Sequence, residues 1–175
     1  MATMASDLPR AKKKTQGTTT KKKAEKSRYS LKLSPISVEP IWLQCARKEL
    51  GVHETPGKAS TKRILEYHQA TSLKATDDET AWCSAFVCWC LETTGITSTR
   101  SAAARSYLNW GKVLSEPRIG CVVVFQRGDS AWQGHVGFVV GFDKTTITCL
   151  GGNQNDSVCI QKYPRSKVLG FRWAS

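Results

Sequence analysis

The feature that most constrains the fold is a change of hydrophobic period in mid-chain. As far as Gly111 the apolar residues recur at helical spacing, whereas past Pro117 they come in short β-rich runs. Behind Pro40, Ile41 pairs with Cys45, and Trp42 with Ala46 and Leu50, which predicts a first helix ending at Gly51. After the turn-forming VHETPGKAS, Ser60 is placed to cap a second helix carrying Ile64, Leu65 and His68. A third helix is expected from about Trp82 to just before Gly95, and Ser101 is placed to cap a fourth that ends at Gly111. The later runs, 121–126, 135–142, 145–151, 157–163 and 168–173, alternate with short polar turns and predict about five strands paired antiparallel as a meander. Helices first and sheet second give an α+β class, with N-terminal helices packed on a C-terminal antiparallel sheet. No internal repeat is present.

Charge divides the chain differently. The net charge of +12 would suggest an anionic partner if it were spread over the fold. Residues 1–35 hold ten Lys or Arg against Asp7 and Glu25, which is +8, so only +4 remains for the rest. Residues 1–34 are rich in Lys, Thr and Ser and have almost no large apolar side chains before Leu31. Such a segment cannot offset the entropy of ordering and is expected to be a disordered basic tail. Residues 35–175 then form the folded domain, expected to be monomeric. The basic residues at 10–32 either solubilise the chain or bind an anionic polymer such as nucleic acid, membrane or wall. No apolar run reaches signal-peptide or membrane-span length, so cytosolic synthesis without a signal peptide is expected. The seven cysteines are odd in number and sit mainly in apolar runs, as reduced thiols would.

Three of those cysteines lie in DDETAWCSAFVCWC, residues 77–90. Cys83 falls where the third helix starts, where unpaired backbone N–H groups and the helix dipole are expected to lower its pKa and favour a thiolate. Cys88 and Cys90 lie deeper, among Phe86, Val87, Trp89 and Leu91, and read as core. The spacing C-x4-C-x-C is not that of a paired structural zinc site, and only three histidines are available to complete one. Of these, His135 opens the second long strand behind Gly134 and is the candidate base. His68 reads as structural, and His53 sits in a loop beside Glu54. A third polar group should hold the imidazole in its productive tautomer. The candidate is Asn153 in LGGNQND, with Gln154, Asn155 and Asp156 as alternatives because two glycines leave the register of the turn open. The backbone N–H of Cys83 or Ser84 is the expected oxyanion donor. Trp82, Trp132 and Gln133 flank the nucleophile and base as candidate substrate-binding residues, and the RGD at 127–129 reads as a polar hairpin.

Taken together, ETAWCSAFVCWCLETTGI, GHVGFVVG and LGGNQNDSV…YPRSKVLGFRW resemble the papain-like peptidoglycan hydrolases of the CHAP and NlpC-like group, in particular a small branch of single-domain phage and bacterial proteins. The resemblance spans roughly residues 40–174. It implies a papain-like fold and hydrolysis of an amide in the peptide part of murein, by an N-acetylmuramoyl-L-alanine amidase or endopeptidase activity that needs no cofactor. It gives Cys83 the nucleophile's place, His135 the base's, and Asn153 the third place, which in the family is His, Asn, Asp or Glu. Some CHAP domains bind calcium through acids ahead of the cysteine, which raises the question for Asp77, Asp78 and Glu79. The otherwise expected role of these acids is an acidic loop leading into the helix, and no metal is assigned. Such an enzyme would reach the wall after lysis, in a virion or through a secretion system. Other functions compatible with these residues are a thiol hydrolase or acyltransferase acting on another amide or ester, and a non-catalytic anionic-polymer binding protein.

Overall fold

The structure, a computed structural model, describes residues 38–57 and 59–175. The expected basic tail and its anionic partner therefore lie outside the described residues. The helical half comprises α1 (Ile41–Lys48), α2 (Lys62–Gln69) and α3 (Cys83–Thr93), followed by a 3-10 helix over Ala104–Asn109. The sheet comprises β1 (Lys112–Leu114), β2 (Val122–Gln126), β3 (Gly134–Phe142), β4 (Thr146–Gly151), β5 (Cys159–Pro164) and β6 (Val168–Trp173). The class is α+β, and every strand pair is antiparallel.

Three expectations about the elements need correcting. The sheet has six strands in the order β1-β6-β2-β3-β4-β5, so the meander holds only for β2 to β5. The last strand crosses back to lie between β1 and β2, and β1 was not anticipated because three residues carry no readable alternation. The fourth helix is 3-10, begins at Ala104 rather than after Ser101, and is one of the short connectors that geometry favours. The second helix starts one residue after Thr61, whose N–H is taken by Asp78 Oδ2 at 2.8 Å, so Ser60 is not its cap.

α3 is the centre of the molecule. Eight of its eleven residues are buried, so it is apolar on all sides and must be enclosed by other elements. The buried faces of α1 (Trp42, Leu43, Ala46) and α2 (Ile64, Tyr67, His68) cover part of it. Tyr67 meets Trp82, Phe86 and Trp89 at centroid distances of 5.8, 5.4 and 5.2 Å. Phe86 reaches the sheet through Phe138 at 6.4 Å. Burial of side chains this size stabilises by roughly 1.5–3 kcal/mol each. The buried carboxylate of Glu49 joins α1 to α2: Arg63 donates to it at 2.7 and 2.8 Å and the Tyr67 hydroxyl at 2.6 Å.

β2 is buried on both faces because alternate residues serve two cores. Val122 and Val124 face the helices, while Cys121, Val123 and Phe125 face the other side with Val139, Ile147, Cys149 and Phe171. The second core is closed by Leu114 of β1 and Tyr163 of β5, on the two outer strands, and by Val168 of β6, as the sheet curls. Register shifts at Val124/Phe125 and Val139/Gly141 supply the bend. That curl brings Tyr163 of β5 over Phe125 of β2 at 4.5 Å, and over His135 of β3 at 5.4 Å.

No helix among the described residues is long and apolar enough to cross a membrane.

Candidate active site

Cys83 is the first residue of α3, preceded by Trp82, whose carbonyl accepts the first helical hydrogen bond, from Phe86 N–H at 2.9 Å. The N–H groups of the first turn have no partner within the helix. The backbone N–H groups of Val136, Ser84 and Cys83 act on the thiol and favour its thiolate, as does the charge of Arg127. Burial outweighs them. It pushes the Cys83 thiol above its ordinary pKa, so the depression expected from the helix start is not what the free site shows.

The Val136 N–H near Cys83 puts the third residue of β3 beside the candidate nucleophile, and His135 is its neighbour. His135 is 4% exposed. Burial holds its imidazole down at about 4; the Gln154 hydrogen bond pulls it up, and the Arg127 charge pushes it further down. The free site therefore rests at neutral pH as a thiol and a neutral imidazole. No hydrogen bond joins the two in this structure, as is common before substrate closes a catalytic pair.

The imidazole Nε2 lies 2.9 Å from Gln154 Oε1. Two further contacts fix the direction of that bond. Gln154 Nε2 donates to the carbonyl of Cys159 at 2.6 Å, which orients the amide, and the Tyr163 hydroxyl donates to the same Oε1 at 3.0 Å. An oxygen so placed can only accept, so His135 carries its proton on Nε2 and leaves Nδ1 bare.

Asn153 makes a different contact. Its Nδ2 donates to Glu54 Oε1 at 2.8 Å, and the same oxygen accepts from Trp82 Nε1 at 2.6 Å. The residue on the imidazole is thus Gln154, not Asn153, Asn155 or Asp156. The cause is local backbone: Asn153, Asn155 and Asp156 have φ of 55°, 50° and 55°, left-handed values that turn alternate side chains out of a strand's register. The loop is held from outside as well, by Glu54 N–H to the Asp156 carbonyl at 2.9 Å and Val158 N–H to the Val52 carbonyl at 2.7 Å.

Trp82 does not line a groove. It is fully buried, and a Cβ on Gly152 would come within 2.4 Å of its ring, so it fixes the loop against the helix start and cannot touch substrate. Trp132 is the opposite case, 75% exposed, and with Gln133 it lines a cleft of about 660 Å³ that also contains Cys83, Arg127 and Asn153. A smaller recess of about 240 Å³ contains His135, Gln154 and Tyr163 and shares Arg127 and Asn153 with the first. A groove of about 490 Å³ between Trp42, Phe142 and Trp173 contains no nucleophile.

The other histidines are elsewhere. His68 is fully buried in α2 with both ring nitrogens unpartnered, and burial lowers its pKa. The exposed His53 meets the Gly51 carbonyl at 3.0 Å. The acids ahead of Cys83 serve the loop. Asp77 Oδ1 accepts from the Thr80 N–H and hydroxyl at 2.7 and 2.9 Å, and Asp78 Oδ2 accepts from the Thr55 and Thr61 N–H groups at 2.9 and 2.8 Å. These bonds tie both acids to the loop that leads into α3. Among the described residues no group of three or more His, Cys, Asp or Glu is arranged to hold a metal.

Sequence reasoning missed Glu54, Tyr163 and Arg127. Glu54 was visible only as a neighbour of His53, and Tyr163 as a strand residue. RGD does sit in the β2–β3 hairpin as expected, but its arginine lines both cavities.

Comparison with protein families matches residues 75–153 to the CHAP domain, a span that contains Cys83, His135 and Asn153 and ends one residue before Gln154. No curated protein matches the sequence.

Proposed function

We propose, from the match of residues 75–153 to the CHAP domain, a family that implies a peptidoglycan-hydrolase or amidase type of function, that the chain cleaves an amide bond in the stem peptide or cross-link of murein, with Cys83 as nucleophile and His135 as base. CHAP domains are usually cysteine/histidine amidases or peptidases. The observation that carries the reading is the Gln154 amide, locked between the Cys159 carbonyl and His135 Nε2, which leaves the imidazole's other nitrogen free to take a proton.

Nδ1 is the ring nitrogen nearest the backbone, and Cys83 lies against that same backbone at Val136. As substrate binds, Nδ1 takes the thiol proton while the sulfur attacks the amide carbon. The N–H groups of Cys83 and Ser84 at the helix start stabilise the oxyanion. Collapse breaks the C–N bond, and the Nδ1 proton passes to the leaving amine. Water then attacks the thioester, gives a proton to Nδ1 and releases the acid, and the thiol is restored. In this scheme Gln154, in place of Asn153, holds the third position, Tyr163 supports it, and Trp132 and Gln133 form the wall of a papain-like groove.

Access to murein would follow lysis, packaging in a virion or passage through a secretion system, and the basic residues at 10–32 are suited to hold the enzyme on an anionic polymer. Purified murein digested with wild type and with Cys83→Ala, with products read by mass spectrometry, tests the reading. New amine and carboxyl termini from wild type alone support it, whereas intact murein with wild type, or equal cleavage by the variant, overturns it.

A further inference from the structure

Arg127 is not used by the mechanism above. It is exposed in the β2–β3 loop and lines both the cleft that holds Cys83 and the recess that holds His135. Among the described residues it enters no ion pair and no side-chain hydrogen bond. Arg47, Arg100 and Arg165 are paired with Glu39, Glu92 and Glu116, and the exposed Arg118, which has no carboxylate partner, stacks on the Trp173 ring at 3.7 Å.

The loop that carries Arg127 is fixed. Gln126 Nε2 donates to the Gly128 carbonyl at 3.2 Å, and Arg105 donates to the carbonyls of Gln133 and Ser130 at 2.6 and 3.2 Å. Gly128, at φ 61°, lets Gln133 close over the turn, since a Cβ there would lie 2.4 Å from Gln133 Oε1. A guanidinium without a partner, presented by a braced loop beside the nucleophile, is suited to bidentate capture of a carboxylate. The other charged residues lining the Cys83 cleft are Glu54, Glu79 and Asp156, so the cleft offers an anionic group one favourable position. The charge of Arg127 also acts on Cys83 and His135, which places it near the reacting atoms.

We propose that Arg127 is a specificity-determining residue that binds a free carboxylate of the substrate peptide close to the scissile amide, so that the enzyme selects stem peptides whose carboxylates are not amidated. The inference rests on the murein reading above.

Two soluble muropeptide preparations test it, one with free carboxylates and one converted to carboxamides with carbodiimide and ammonia. Wild type should cleave the free form with kcat/KM about tenfold or more above the carboxamide form, the difference residing mainly in KM. Arg127→Gln should lose that preference by slowing cleavage of the free form alone, and Arg127→Lys should keep part of it. Equal wild-type rates on the two forms would overturn the carboxylate site and leave murein hydrolysis standing. An equal loss on both forms in Arg127→Gln would overturn it too, by showing that the residue acts on the reactive pair. Failure of wild type to cut either form, with the chain folded by circular dichroism, would overturn both readings.

Discussion

Gln154 Oε1 accepts from His135 Nε2 across 2.9 Å while the other end of the same amide donates to the Cys159 carbonyl. That pair of bonds makes the tautomer of the base a consequence of the β4–β5 loop. Gln154→Ala is therefore expected to lower kcat by roughly 10–100-fold with little change in KM, because the ring loses its orientation and not its substrate contacts. Asn153→Ala should cost less in kcat. Steady-state kinetics on soluble muropeptides checks the order of the two, and a larger kcat loss in Asn153→Ala would move the third position back to Asn153.

Burial of His135 links stability to pH. Its folded pKa of about 4 lies below the ordinary 6.5, so between those values the unfolded chain binds more protons than the native one. Stability from this group is complete above about pH 6.5 and is lost as pH falls through 4, a change of about 3 kcal/mol at the full shift. His68, also lowered by burial, acts in the same direction. Denaturant unfolding between pH 7 and 4 should thus show a shallower loss in His135→Asn than in wild type. NMR titration of the His135 ring should place its midpoint near 4, and a midpoint near 6.5 would contradict the burial.

Glu54 joins the helix start to the catalytic loop through one oxygen that accepts from both Trp82 and Asn153. Burial raises its pKa, the indole N–H lowers it, and the acids Asp156, Glu79 and Asp78 raise it further. Glu54→Ala would leave the buried indole N–H without an acceptor, at a cost of about 1–3 kcal/mol. Glu54→Gln keeps an acceptor and should recover most of that loss. Equilibrium unfolding in urea measures both, and identical stabilities for the two variants would contradict the role of the shared oxygen.

Much of the helical half is legible in the sequence. Spacing of four residues marked α1, and the apolar run after Trp82 marked α3 with Cys83 at its start, because both signals are local. The order β1-β6-β2 was not legible, since pairing between the ends of the sheet depends on how the whole sheet curls. Gln154 was an alternative and not the choice, because strand alternation fails where three non-glycine residues adopt left-handed φ. Trp82 looked like a groove wall because its neighbour is the nucleophile, yet a helix turns adjacent residues about 100° apart, and one lies in the core while the other meets the cleft. Arg127 was hidden by its tripeptide, which describes a turn and not where the turn's side chains point.

The proposed mechanism requires that Cys83, and no other of the seven cysteines, carries the acyl group during cleavage. Acid quenching of wild type during turnover of a soluble muropeptide, followed by intact mass and peptide mapping, tests it most directly. One acyl adduct is expected on the peptide containing Cys83, absent in Cys83→Ala. Turnover with no adduct on any acid-quenched sample, together with retained activity in Cys83→Ala, or an adduct mapped to another cysteine such as Cys159, would contradict it.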